Sequence, residues 1–195
     1  QDTSIGGLQS DGNVLAIWNA TQDTRLADLE STVTAYGKQN GSYTLTSTTA
    51  AQKLFDWSTN GALLLQPGEY IFRSQVRLDS MSATSGNAQL LLGGTATLTR
   101  TLWYAWGQDV GSGAVTVGTV TGSGAFTAGG ETNVVTASTA TQMFATWMGS
   151  FVVTDAGTVI PQIALVTAAA ARVLSGSWFA IERVADEAVI VGNWS

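Results

Sequence analysis

Few residues in this chain could do chemistry. Histidine and cysteine are both absent, which removes thiol nucleophiles, disulfides, zinc sites and the usual general base together. A serine nucleophile would then need a carboxylate or a lysine to take its proton. Lys38 and Lys53 are the only lysines, and neither completes a Ser-x-x-Lys pattern. Glycoside hydrolysis needs two convergent carboxylates, one with a raised pKa. By elimination its candidates are the loop acids Asp79, Asp109, Glu131 and Asp155, each of the kind that usually decorates a solvated turn. Gly111-Ser-Gly113 and Gly122-Ser-Gly124 lack the third glycine and the following lysine of a phosphate cradle, and read as hairpin turns. The expectation is a protein that is not an enzyme, with no catalytic residue, no metal and no cofactor.

Binding is better provided for. Trp103, Tyr104 and Trp106 end an apolar run just before the loop Gly107 to Gly113, and Gln108 and Asp109 follow them. Aromatic faces stack on pyranose rings while short polar groups fix the hydroxyls, so these five residues form a candidate glycan platform. At the two-residue period of a strand, Tyr104 and Trp106 share one side and Trp103 takes the other. The alternative is that the exposed aromatic packs on a neighbouring chain. Trp147 and Trp178 stand in denser apolar runs and read as core or axis residues.

The elements that must position these side chains are strands. From Gln142 to Val184 three apolar runs follow one another, separated by Asp155-Ala156-Gly157 and by Ala168 to Ala171, and they predict three consecutive antiparallel strands. The first has no polar face. Met143, Ala145, Trp147, Gly149, Phe151 and Val153 point one way, and Phe144, Thr146, Met148, Ser150 and Val152 the other. One face meets an opposing sheet, and the other needs a second cover. A neighbouring copy is the expected cover, with Phe144, Trp147, Met148 and Phe151 as the expected contact residues; the alternative is a central strand of a two-layer core with a stray apolar side chain or two outside. Earlier, Glu69 to Met81 alternates with Tyr70, Phe72, Ser74, Val76 and Leu78 inward. Shorter strands are expected at Tyr43–Thr46, Gln52–Trp57, Ala62–Gln66, Ala88–Leu92, Thr95–Trp106 and Val115–Val120.

Only the N-terminal part has helical potential. Asp23-Thr24 offers capping oxygens, Arg25 to Val33 contains helix formers, and Gly37 stands where a helix would stop. Leu26, Leu29, Val33 and Tyr36 fall at a and d positions, which suits either a helix packed on the domain or the end of a multi-chain stalk. Residues 1–40 are thus expected to be an arm with a short helix, and 41–195 a β-rich head.

The composition of the 195 residues agrees with one folded β domain: 45% are apolar and 11% charged, the reverse of a disordered chain. Fourteen acids against eight dispersed cations leave a formal charge of −6, which argues against nucleic acid as a partner. No apolar run is long enough to insert in a membrane as a helix.

Ala62 to Met81 (ALLLQPGEYIFRSQVRLDSM) and Gly149 to Val184 (GSFVVTDAGTVIPQIAL, an alanine tract, then GSWFAIERV) carry a resemblance. In strand order and turn composition this chain resembles the jelly-roll heads of tailed-bacteriophage fibre and virion-surface proteins, which have the fold of the tumour necrosis factor and complement-type globular heads. The resemblance spans about Tyr43 to Val184. It implies an all-β antiparallel jelly-roll β-sandwich, assembled as a homotrimer at the virion surface. Its N-terminal arm would hold other virion proteins, and its head would bind a host-cell surface molecule such as a bacterial polysaccharide. The alternative is a structural knob or capsid decoration without a receptor. The tail Ala185 to Ser195 continues past the strand that normally ends such heads.

Overall fold

The structure, a computed structural model, describes residues 19–20, 22, 34–84, 88–109, 115–121, 126–127, 132–133 and 141–184. The chain divides into two compact units, Gln1–Val33 and Thr34–Ser195. In the first, the described residues Asn19, Ala20 and Gln22 are helical; Leu26, Leu29 and Val33 lie outside the described residues. In the second, the described residues are mostly antiparallel β-strands and the turns that join them.

Its strands are β1 (Thr34–Lys38), β2 (Tyr43–Thr44), β3 (Gln52–Lys53), β4 (Leu63–Leu65), β5 (Gly68–Asp79), β6 (Ala88–Gly94) and β7 (Thr97–Asp109). There follow β8 (Val115–Thr121), β9 (Phe126–Thr127), β10 (Thr132–Asn133), β11 (Met143–Asp155), β12 (Gly157–Leu165), β13 (Arg172–Val173) and β14 (Trp178–Val184). The larger sheet runs β1-β14-β5-β11-β7-β8, with β13 beside β2 and β5, and β9 beside β7. The smaller runs β10-β6-β12-β3, with β4 also on β12.

The three apolar runs of the last third do form strands, but they do not pair with one another. Strand β11 lies in the larger sheet, Asp155-Ala156-Gly157 carries the chain across to β12 in the smaller, and β14 returns to pair with β5. The sheets therefore share one core, drawn from Phe72, Val76, Trp147, Phe151 and Phe179 on one side and Leu90, Leu92, Val159 and Ile163 on the other. Strand β5 buries Tyr70, Phe72, Ser74, Val76 and Leu78 and exposes the residues between them, as its alternation predicts. Phe72 is the hub, with ring centroids 5.0 Å from Trp147, 5.6 Å from Phe179 and 6.2 Å from Trp103.

Two departures from the sequence reading have clear causes. Tyr36, expected on a helix, lies in β1, which pairs along its length with β14 from Thr34↔Glu182 to Lys38↔Trp178. These five residues gain a full hydrogen-bonded ladder at the edge of a sheet, which overrides a local helical spacing. They therefore belong to the second unit. Gly37 does not stop a helix. A Cβ there would meet the indole of Trp57 at 2.5 Å, and Trp57 is itself stacked on Phe55 at 4.2 Å. Glycine is needed because an indole lies directly on the strand.

The second departure is in β7. Ser150 faces Leu102 and Val152 faces Thr99, so Arg100 and Thr101 together oppose Phe151 in a β-bulge. Arg100 takes a φ of 48°. The extra residue inverts the alternation. Leu98 is buried while Leu102 is 49% exposed, although an unbroken strand would put both on one side.

Candidate functional site

The outer face of the larger sheet is defined by register. One line of directly opposed residues runs Lys38, Trp178, Gln75, Thr146 and Trp106 across β1, β14, β5, β11 and β7. The next, two residues along each strand, runs Tyr36, Ala180, Arg73, Met148 and Tyr104. Beyond it come Glu182, Ile71, Ser150 and Leu102, and on the opposite flank Arg77, Phe144 and Gln108. Opposed residues in a sheet share a face, so these side chains form one surface.

That surface is apolar and open. Tyr36 is 62%, Leu102 49%, Tyr104 42% and Ile71 40% exposed, while Phe144, Met148, Trp106 and Trp178 are half-buried. Trp106 and Phe144 pack at 6.0 Å, and the Tyr104 hydroxyl points at the Met148 sulfur. Trp178 Nε1 donates to Gln75 Oε1 at 3.1 Å. Between Ile71 and Arg73 on one bank and Leu102 and Tyr104 on the other lies a groove of about 340 Å³, floored by Met148, Gly149 and Ser150. Thr146 is only 8% exposed. Its hydroxyl has no partner among the described residues.

The structure thus separates the residues expected to bind a glycan. Tyr104, Trp106 and Gln108 stand on the outer face, but Trp103 is 1% exposed and belongs to the core. Asp109 closes β7 opposite Met143; its side chain lies outside the described atoms. The expected subunit contacts separate too. Phe144 and Met148 are on the outer face, whereas Trp147 and Phe151, both 0% exposed, are sealed inside their own subunit and present nothing to a neighbour. The strand's two apolar sides have different covers: the inner set is buried by the opposing sheet, and the outer set remains partly open. Tyr104, Trp106, Phe144 and Met148 therefore converge on one surface, and a glycan and a second copy would compete for it. Ile71 and Arg73 were readable as outward positions of β5. Leu102 shares the side of Tyr104 and Trp106, as the two-residue period predicts, and it is Ala96 and Leu98, expected on that side too, that are buried beyond the bulge.

Of the acids considered for hydrolysis, Asp79 is held below the usual carboxylate range by the Arg172 guanidinium, which donates from Nε at 2.8 Å and from Nη2 at 2.5 Å. That is the wrong direction for a general acid. Asp155 is exposed at the end of β11, and Glu131 lies outside the described residues. Among the described residues no group of three or more acids could hold a metal ion.

The described residues define a two-sheet antiparallel β-protein with an uncovered apolar sheet face. No family model matches the sequence, and no curated protein matches it significantly.

Proposed function

We propose that this chain is a structural subunit of a virion appendage, a tumour necrosis factor-like jelly-roll head that assembles as a homotrimer through the outer face of its larger sheet. The observation that carries this reading is that face, where Ile71, Leu102 and Tyr104 stay open beside Phe144, Met148 and Trp106. Contiguous apolar surface of this kind marks an interaction site. Strand order supports the jelly roll: the chain passes back and forth between β1-β14-β5-β11-β7-β8 and β10-β6-β12-β3, so that, apart from the β7-β8 hairpin, the strands of these two paths pair with ones that are not their neighbours in sequence. In this reading the head stands at the virion surface, and the segment before Thr34 attaches it to other virion proteins. Native mass spectrometry and sedimentation at micromolar concentration test it. The expected particle has three times the 20.2 kDa mass of the chain, and a monomer would refute the proposal.

The second reading, attachment to a bacterial surface polysaccharide, is favoured by Tyr104, Trp106 and Gln108 lying on a face that also carries Arg73 and Arg77. Aromatic stacking beside guanidinium groups suits an acidic glycan. Binding of the purified protein to isolated envelope polysaccharide tests it, and no retention on such material would leave the structural role alone.

A further inference from the structure

The outer face is not uniform. Its β1, β14 and β5 half carries Lys38, Arg73 and Arg77, none of which makes an ion pair among the described residues, and, toward the other end of the strands, the exposed acids Glu69 and Glu182. Its β11 and β7 half carries Phe144, Thr146, Met148, Ser150, Leu102, Tyr104, Trp106 and Gln108, uncharged side chains that include every residue level with the three cations, while Arg100 and Asp155 are exposed further along the same strands. Register sets the two halves level with each other. Lys38 lies on the line of Trp106, Arg73 on the line of Tyr104, and Arg77 on the line of Phe144.

We propose that neighbouring copies join across these halves, the cations of one copy lying on the aromatic rings of the next. A second copy turned about an axis parallel to the strands brings the charged half of one subunit onto the uncharged half of its neighbour at the same height. Guanidinium and ammonium groups are attracted to aromatic faces, and their stems cover apolar surface on the way. About the threefold axis of a trimer, each copy meets one neighbour through its cationic half and the other through its aromatic half, a head-to-tail contact that closes as a ring. This inference rests on the reading of the outer face as a subunit contact and specifies its register.

The full chain tests it by exchange of charge. Arg73→Glu and Tyr104→Lys each place a charge where the other half offers no match, and each should weaken association about tenfold or more per contact. The double variant Arg73→Glu, Tyr104→Lys pairs the new acid of one copy with the new cation of the next and should recover most of the lost association. Both positions are exposed, and thermal unfolding of the dilute variants checks that the subunit itself is intact. If a variant does not fold, Arg77→Glu paired with Phe144→Lys gives the same readout one line further along. Oligomers that withstand the single substitutions, or a double variant no better than either single one, overturn the pairing while leaving assembly standing. A wild-type chain that stays monomeric at tens of micromolar overturns both. Retention of the monomer on acidic polysaccharide, lost in Arg73→Glu, would assign the cations to a glycan instead.

Discussion

Trp147 illustrates how a single side chain can be placed correctly on a strand and wrongly in the assembly. Its ring packs 5.0 Å from Phe72, 5.9 Å from Phe179 and 6.4 Å from Trp103, so its substitution acts on folding before it acts on association. Trp147→Ala should cost about 3–5 kcal/mol of subunit stability, read by urea unfolding of dilute protein. A loss seen only in oligomer mass would contradict the core placement. Asp79 gives a residue-scale prediction of a different kind. Its folded pKa is lowered, so the stabilisation it provides is fully present above the unfolded carboxylate pKa and disappears as pH falls through the folded value. Asp79→Asn should therefore weaken the fold at neutral pH, by about 1 kcal/mol or less for a pair at the surface. It should also make the acid limb of the stability curve shallower below about pH 4. Unchanged acid unfolding would mean that the Arg172 contact contributes nothing.

At the scale of elements, the glycine under Trp57 offers a sharp test. Gly37→Ala drives a methyl into the indole and should destabilise by about 1–3 kcal/mol, as overpacking does. In a Trp57→Ala background the same substitution should be nearly neutral, and a thermal-shift double-mutant cycle reads the coupling. Strand β5 was legible because its inward and outward residues differ in polarity at every step, from Tyr70 to Leu78. The opposite sides of β11 were legible as a pattern, yet sequence could not say which side met the second sheet, because both are apolar. In β7 the bulge at Arg100 and Thr101 inverts the alternation, and no residue there announces it, since glycine is absent from the positive-φ position. Strand β1 was misread because Val33 and Tyr36 sit at a helical spacing. Its true partner is β14, some 145 residues away, and local spacing carries no information about such a pairing. The candidate face was half legible for the same reasons. Tyr104, Trp106, Phe144 and Met148 were each singled out, but for two separate roles, and only the register line through Arg73, Met148 and Tyr104 unites them.

For the whole molecule, the balance between apolar contact and charge predicts how assembly responds to salt. At 1 M salt the screening length is about 3 Å, which dissolves contacts built from exposed ion pairs. An interface made of apolar side chains and cations seated on rings should persist there, and sedimentation in 0.1 M and 1 M sodium chloride compares the two. Dissociation at high salt would point to acidic groups as the partners of Arg73 and Arg77. Short apolar runs punctuated by turn residues placed the fold class at the level of an all-β sandwich. The strand order needed coordinates, because pairings that define it join residues far apart in the sequence, as in Met143↔Leu78 and Thr34↔Glu182.

The ladder between β1 and β14 has a mechanical consequence. Thr34 lies opposite Glu182, so a tether pulling on the start of β1 against the end of β14 loads that short ladder from its tip, breaking its bonds in succession. In a single-molecule pulling experiment the first event should be a small, low-force extension as these five residues peel away, about 17 Å of released contour from their extended length. Rupture of the remaining strands should follow at higher tension, making β1 the weak link of this unit when it is pulled from its two ends.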